Sequence, residues 1–486
     1  MNPRKNIFSN AKMIPNKVLT VRGYSILKNT ISEPQATALR KDLTATPLVA
    51  DAYAGTLQPF KVWSESKERF YLPRAWAEQT FGPPEGDSRP NGDLLPKSLT
   101  FTGSLRAHQE EAMQAFRASK YNGIICLPCG YGKTFTGIAI AKEIGSCFMI
   151  VVHKEFLADQ WSEELVKLLP GVRIGRIQGE RCDIGPEYDV AIAMIQTICS
   201  RAFPSGTFNR FGFAIFDEVH HLGAEHFSRT LQSIHCKKML GLTATPERKD
   251  GLSKIFEWHI GKIIYQIKNR PKDNTVQVEV LRYCCDVPEY AKVDTNWKGD
   301  TIRARMINQI AKYIPRTKQI VDWIFPYMAE PDRKLLILSD RRGNLTEFDK
   351  VFTQKGITDI GYYVGGMKQA DLDASANCKI ILGTFAMASE GMNIPTLNAI
   401  LLATPKSNIE QSVGRILRLK PEDRTIQPII FDVMDSAFVE CYGQWMKRKK
   451  FYRECGYSIH WLGESNEIHD EPTEKEQKGV CLIGED

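Results

Sequence analysis

Leu127-Pro-Cys-Gly-Tyr-Gly-Lys-Thr134 lies between an apolar run, Gly123 to Leu127, and a stretch of helical periodicity, Thr134 to Glu143. A buried strand, a glycine-bearing loop and a helix in that order are the setting of a phosphate-binding loop. Gly130 and Gly132 let the backbone curl so that its N–H groups face phosphate oxygens. The helix N-terminus adds positive potential there. Lys133 can reach the β and γ phosphates of a nucleotide, and Thr134 can place its hydroxyl on Mg2+. The strict consensus fails at one position, where Leu127 stands in place of glycine. A chance Gly-Lys-Thr turn would lack the flanking strand and helix. Leu127, Pro128, Cys129, Gly130, Tyr131, Gly132, Lys133 and Thr134 are therefore the candidate phosphate-binding residues.

Phe211-Gly-Phe-Ala-Ile-Phe216 is a second apolar run, and it delivers Asp217-Glu218-Val219-His220 at its C-terminal end. Open α/β sheets bind ligands at that end of their strands. Asp217 can hold the Mg2+ shell with Thr134, while Glu218 positions and deprotonates an attacking water. An Asp-Glu pair alone is a weak signal, but downstream of a phosphate loop it is a strong one. His220 reads as a relay to a later motif. His221 would point the other way on extended chain, which argues against a metal pair.

The surrounding pattern sets the fold class. Cys147 to Val152, Asp189 to Ala193, Phe211 to Phe216 and Met239 to Leu242 read as strands, and Glu155 to Leu169 as an amphipathic helix with Leu157, Trp161, Leu165 and Leu168 on one face. Alternation of this kind means a parallel sheet with helices on both faces, so the fold class is α/β. A second such run follows, with strands expected at Lys334 to Leu338, Gly361 to Val364, Lys379 to Leu382, Ala399 to Ala403 and Ile426 to Asp432. Trp161 and Trp323 have apolar neighbours at helical spacing and read as core.

These stretches divide the chain. Residues 1–98 form an N-terminal α+β accessory domain, with nucleic-acid binding as one possible task, ending in a linker rich in breakers (Pro83, Pro84, Pro90, Gly92, Pro96). The first lobe spans 99–268, an interdomain linker or insertion 269–300, and the second lobe 301–440. Residues 441–486 hold a basic segment and a flexible acidic tail. The tail from Gly463 has eight acidic residues against two lysines, a net −6 in a chain of net +7. The positive remainder permits a polyanion partner.

The 486 residues suggest roughly three domains at ~100–200 residues each. No apolar run approaches the ~20 residues of a membrane span. Without a visible secretory signal, the twelve cysteines fit an intracellular, reducing compartment; cytoplasm, nucleus and virion stay open. Cys126 and Cys129 lack a second pair at zinc spacing.

Asp217-Glu-Val-His220 resembles the DExH box of superfamily 2 helicases, and the other motifs of that family appear in order. Leu105 to Gln109 is similar to the upstream adenine-sensing element, with Gln109 as the base contact. Val152 to Trp161 resembles motif Ia, Ala193 to Thr197 motif Ib, and Leu242-Thr-Ala-Thr245 motif III, which implies coupling roles for Thr243 and Thr245. Leu335 to Arg342 resembles motif IV. Leu382 to Pro395 resembles motif V and implies nucleotide contacts at Glu390, Gly391 and Asn393. Gln411-Ser-Val-Gly-Arg-Ile-Leu-Arg418 matches motif VI. The implied arginine fingers are Arg415 and Arg418, spaced to share a helix face, with Gln411 in coupling. If these arginines come from the second lobe, the catalytic set is complete only when the lobes close.

The resemblance covers Leu105 to Val433 and implies two RecA-like parallel-sheet lobes. The loop and motif VI look like the XPB group of DNA helicases. Gly241 to Leu252 and Ala388 to Pro395 look more like helicases of large DNA viruses, of the poxvirus transcript-release type. That implies a DNA-dependent ATPase and 3′→5′ helicase using ATP and Mg2+, serving transcript release, repair or recombination, with DNA as partner. RNA, an RNA–DNA hybrid and transcription-machinery proteins are further partners, and no membrane is implied. Asn393 stands where many relatives carry Asp, and Glu247 to Asp250 does not reproduce the Arg-Glu-Asp element of the XPB group.

A translocating motor grips phosphates rather than base edges. By motif position Lys154, Thr197, Arg342 and Thr384 take that role. Lys447-Arg-Lys-Lys450 with Phe451 and Tyr452 reads as a solvated helix face, with a grip on DNA by charge and stacking as its alternative. Three rivals remain: an RNA helicase or non-unwinding translocase, an inactive nucleic-acid-binding scaffold, and a phosphate-loop kinase. Intact Lys133, Asp217, Glu218, Arg415 and Arg418 weigh against the scaffold, and the second lobe against the kinase.

Overall fold

A computed structural model describes residues 15–46, 58–128, 130–220, 225–244, 252–267, 272–297, 299, 301–390, 392, 394–417, 419 and 421–462. The chain divides into two compact units, Met1–Ile267 and Lys268–Asp486.

Eight strands of the first unit form one sheet, in the order Arg181–Cys182, Ile174–Gln178, Val190–Met194, Phe148–Val152, Phe213–Phe216, Lys238–Thr243, Asn122–Cys126, Ile263–Gln266. All neighbours are parallel except the terminal hairpin. Phe148–Val152, Val190–Met194 and Phe213–Phe216 are buried along their whole length, as a sheet covered on both faces requires. The register pairs Phe216 with Val151 and Gly241, and Thr243 with Cys126. Loops leaving these strands therefore emerge at one edge.

The same unit contains the N-terminal region. Its five-stranded sheet runs Ser64–Glu65, Arg69–Leu72, Gly23–Leu27, Lys17–Thr20, Gly86–Asp87. Helix Glu33–Asp42 starts at a capping box between Ser32 and Gln35, and helix Arg74–Phe81 follows the strand Arg69–Leu72. Arg74 donates to the Ile260 carbonyl, and the buried Arg89 to the Cys236 carbonyl at 2.8 Å. The breaker-rich stretch expected as a linker is instead a packed strap. Leu95 is buried, Leu94 bridges Ser146, and Gly92 has φ +78°, where a Cβ would come within 2.2 Å of the Gly212 nitrogen. The breakers serve a close backbone crossing rather than a loose connection.

In the second unit a seven-stranded, all-parallel sheet runs Ile360–Tyr363, Ile380–Thr384, Leu335–Ser339, Ala399–Leu402, Ile429–Asp435, Gln277–Tyr283, Ser458–Trp461. Two sequence expectations change. Residues 269–300 are more than a linker, because Gln277–Tyr283 lies inside the sheet, between Ile429–Asp435 and Ser458–Trp461. Its alternating Gln277-Val-Glu-Val280 start and the preceding breakers hid it. Residues 441–462 are more than a basic extension: helix Val439–Glu454 packs Trp445 and Tyr452 into the core, and Ser458–Trp461 is the edge strand. Within the basic run, Arg448 is buried and donates to Asp432 at 2.8 and 2.7 Å, while Lys447 and Lys450 are exposed. A second buried pair joins Arg316 to Asp435 at 2.6 and 2.9 Å. Trp323 packs edge-on against Phe431, in the core as expected. The acidic tail lies outside the described residues.

Candidate nucleotide and nucleic-acid sites

The phosphate loop leaves strand Asn122–Cys126 and enters helix Lys133–Ile144. Gly130 and Gly132 have φ +83° and +78°, the left-handed region where glycine carries no steric cost. A Cβ on Gly132 would lie 2.4 Å from Gln109 Nε2. Gln109 is buried; its Nε2 donates to the Tyr131 carbonyl at 3.3 Å, and its Oε1 accepts the Arg106 N–H at 2.8 Å. The side chain expected to contact a base is seen bracing the loop. Leu127 is fully buried, and its N–H donates to the Thr243 carbonyl. Burial of that strand end accounts for leucine where the consensus has glycine. Pro128 accepts a bond from Tyr131, and Thr134 is half-buried at the helix start. Cys129 lies outside the described residues.

Asp217, Glu218, Lys133, His220 and Thr243 come together at the sheet edge. Lys133 Nζ lies 2.9 Å from Glu218 Oε1, with both side chains mostly buried. Glu218 Oε2 lies 3.4 Å from His220 Nδ1, and that nitrogen lies 3.0 Å from Thr243 Oγ1. His220, expected as a relay, thus touches Thr243 of the stretch that resembles motif III. Glu218 has φ +46°, an uncommon conformation for a side chain of its size. The same residue's N–H donates to Asp217 Oδ1 at 2.9 Å.

Asp217 Oδ2 accepts a 2.8 Å bond from the Trp161 indole N–H. Sequence reasoning placed Trp161 in the core, where it is, but gave no sign of this bond. Burial first, and then the neighbouring Glu218, push the Asp217 carboxyl up to about 6. A cation would relieve that cost. A partly buried carboxylate, a hydroxyl at the helix start and a glycine loop in left-handed backbone form a donor set that fits Mg2+–nucleotide, which Asp217 and Thr134 would hold.

Next to this cluster, His153 and Lys154 follow strand Phe148–Val152. Burial pushes the His153 imidazole down to about 4 and lowers the Lys154 ammonium. Gln196 donates to the His153 carbonyl at 2.7 Å. Thr197 is buried, and its hydroxyl accepts the Gly179 N–H at 3.0 Å, so here it fastens a loop. Thr245 lies outside the described residues.

In the second unit, Arg341 Nε donates to Asn308 at 2.5 Å, and Arg342 donates to the Gly365 carbonyl. Thr384 ends strand Ile380–Thr384. The helix of motif VI stops short of Arg415, the first of the two arginines expected to share its face. Helix Glu410–Val413 carries Gln411 and stops before Gly414, the weakest helix former here. Arg415 follows it and donates to the carbonyls of Ala388 and Met392 at 2.7 and 2.9 Å, binding motif VI to motif V. Glu390 ends helix Phe385–Glu390. Gly391, Asn393 and Arg418 lie outside the described residues, as does the Glu390 side chain.

The chain belongs to the superfamily 2 helicases. Residues 102–248 match the family described as "Type III restriction enzyme, res subunit". Within the superfamily it stands close to the helicases of large DNA viruses. The "Putative ATP-dependent RNA helicase L396" of Acanthamoeba polyphaga mimivirus is 30% identical over 92% of this chain and 87% of its own length. The "DNA 3'-5' translocase XPB2" of Sulfurisphaera tokodaii is 38% identical over 33% of this chain and 35% of its own. The crystal structure of the Pyrococcus furiosus Hef helicase domain covers 71% of this chain and 98% of that one, with a TM-score of 0.51 at 15% identity. That likeness is one of fold: each unit carries a RecA-like sheet. Among the described residues no helix is long and apolar enough to cross a membrane.

Proposed function

We propose that the protein hydrolyses ATP with Mg2+ to move on and unwind DNA, in the 3′→5′ direction, in transcript release or in repair and recombination. The observation that carries the catalytic part is the contact of Lys133 with Glu218 beside Asp217, at the edge where the phosphate loop emerges. Bound ATP would draw the Lys133 ammonium onto its phosphates. That exchange frees Glu218 to take a proton from the attacking water. His220 would carry the change in Glu218 to Thr243 and motif III. Thr134 and Asp217 would hold Mg2+, which would supply charge neutralisation at the transferred phosphoryl group. By motif position Arg415 and Arg418 serve that same group.

The name of the XPB2 relative supports DNA as the track, and the name of the mimiviral relative supports RNA as the second reading. Lys154, Thr197, Arg342 and Thr384 remain assigned to the nucleic-acid backbone by motif position. The ten described cysteines are all free thiols, and an intracellular, reducing compartment is part of the proposal.

Phosphate release from ATP with Mg2+, measured without nucleic acid and with single-stranded DNA, duplex DNA or RNA, tests the proposal. Stimulation by DNA that vanishes in Lys133→Ala supports it, and strand displacement from a 3′-tailed duplex extends it to unwinding. Stimulation by RNA alone moves the reading to an RNA helicase. No hydrolysis with any nucleic acid sinks the motor.

A further inference from the structure

We infer that Trp161 is a positioning residue that sets the metal-binding carboxylate of Asp217 and ties it to the helix whose cap faces nucleic acid. Asp217 has each oxygen fixed by one donor: the Glu218 N–H at 2.9 Å and the Trp161 indole N–H at 2.8 Å. The carboxylate plane is thereby set, and each oxygen keeps a lone pair for a metal-bound water. Of these two bonds, the indole's comes from outside the Asp217–Glu218 segment.

The indole has little room to move. Trp161 is 1% exposed. A Cβ on Gly137, in the helix that follows the phosphate loop, would lie 3.0 Å from the far edge of its ring. The ring thus lies between the phosphate-loop helix and Asp217, which follows strand Phe213–Phe216. Its own helix, Glu155–Leu168, has Lys154 at its N-cap position. Lys154, in extended backbone at the position just before the helix, is seven residues and about two turns from Trp161. One rigid helix therefore carries a proposed phosphate-backbone contact at its cap and a hydrogen bond to the metal carboxylate two turns further on. A shift of the cap toward a bound strand moves the indole donor, and Asp217 with it.

The coupling half of this inference rests on the proposed motor; the positioning half does not. Trp161→Phe keeps the ring and deletes the donor. Gly137→Ala keeps the donor and displaces the ring. Binding of a fluorescent ATP analogue, titrated with Mg2+ and read by anisotropy, isolates the positioning half. The Mg2+ concentration for half-maximal binding should rise roughly tenfold in Trp161→Phe, and rise in Gly137→Ala, while binding of the analogue without Mg2+ stays unchanged. The coupling half predicts that the stimulation ratio of hydrolysis by oligo(dT) falls in both variants while their affinity for oligo(dT) holds. If both variants only melt earlier, with unchanged Mg2+ dependence, Trp161 is packing and the inference is overturned. If Mg2+ dependence shifts but the stimulation ratio does not, the link to the helix cap is overturned. A wild-type protein that nucleic acid does not stimulate would sink the motor and the coupling half, and would leave the Mg2+ titration to decide the positioning half.

Discussion

Lys133 and Glu218 neutralise each other across 2.9 Å. One closes the phosphate loop, and the other sits in left-handed backbone at φ +46°. Strain at such a residue persists only where its surroundings over-determine it. Here the Lys133 ammonium and the Asp217 carboxylate do so from two sides.

Lys133→Ala should abolish hydrolysis and also lower stability, by about 1–3 kcal/mol, because the mostly buried Glu218 carboxylate loses its cation. Thermal melts of Lys133→Met, Glu218→Gln and the double variant form a cycle. The double variant should recover part of the lost stability and none of the activity. Additive losses would mean that the pair does not interact.

Gly132→Ala should weaken ATP binding more than it slows turnover. The methyl group would be forced against Gln109 Nε2 in left-handed backbone. A rise in KM for ATP larger than the fall in kcat, with a stability loss of about 1 kcal/mol, is the expected pattern. An unchanged KM would show that the loop rearranges freely.

The first unit should lose stability in mild acid. Burial pushes His153 down to about 4 and His259 well below 6.5. The unfolded chain then takes up protons first. The contribution of these groups is level above about pH 6.5 and is lost as the pH falls toward 4. Neither ring nitrogen of His259 has a hydrogen-bond partner among the described residues. His259→Leu should therefore add about 1–2 kcal/mol and flatten the melting temperature against pH. An unaltered acid slope would assign the effect to other groups.

Arg316 sits in the second unit with its side chain fully buried, bonded to Asp435 and to the Ala403 carbonyl. Arg316→Ala leaves that carboxylate buried without its partner and should cost about 3–5 kcal/mol. Chemical denaturation should show the loss as a lower midpoint at unchanged slope.

Arg415→Lys separates two roles. Lysine keeps the charge but cannot hold the carbonyls of Ala388 and Met392 with one planar fork. Amide exchange across helix Phe385–Glu390 should speed up, together with a fall in stimulated hydrolysis. Lost hydrolysis with unchanged exchange would point to charge alone.

Much of this was legible in the sequence because it rests on local pattern. The strands around Phe148–Val152 and Phe213–Phe216 are apolar runs. The loop from Leu127 to Thr134 declares itself by its glycines, and Asp217 by the strand before it. What stayed hidden depends on distant partners. Gln277–Tyr283 mixes polar residues into a strand because its neighbours in the sheet decide its burial. Arg448 looked like one basic residue in a run of four until Asp432, sixteen positions away, buried it. The bond from Trp161 to Asp217 crosses 56 positions, and nothing near either residue announces it.

Both large sheets end on strands supplied late in their units. Ile263–Gln266 closes one edge of the first sheet, and Ser458–Trp461 closes one edge of the second. During synthesis the first unit can complete its sheet once residue 267 has left the ribosome. The second must wait, because Gln277–Tyr283, made first, needs both Ile429–Asp435 and Ser458–Trp461 beside it. Until then an interior strand of the sheet lacks its neighbours, the condition under which nascent chains associate wrongly. A stop codon before Ser458 should therefore yield a chain whose first unit is soluble and folded and whose second recruits chaperones.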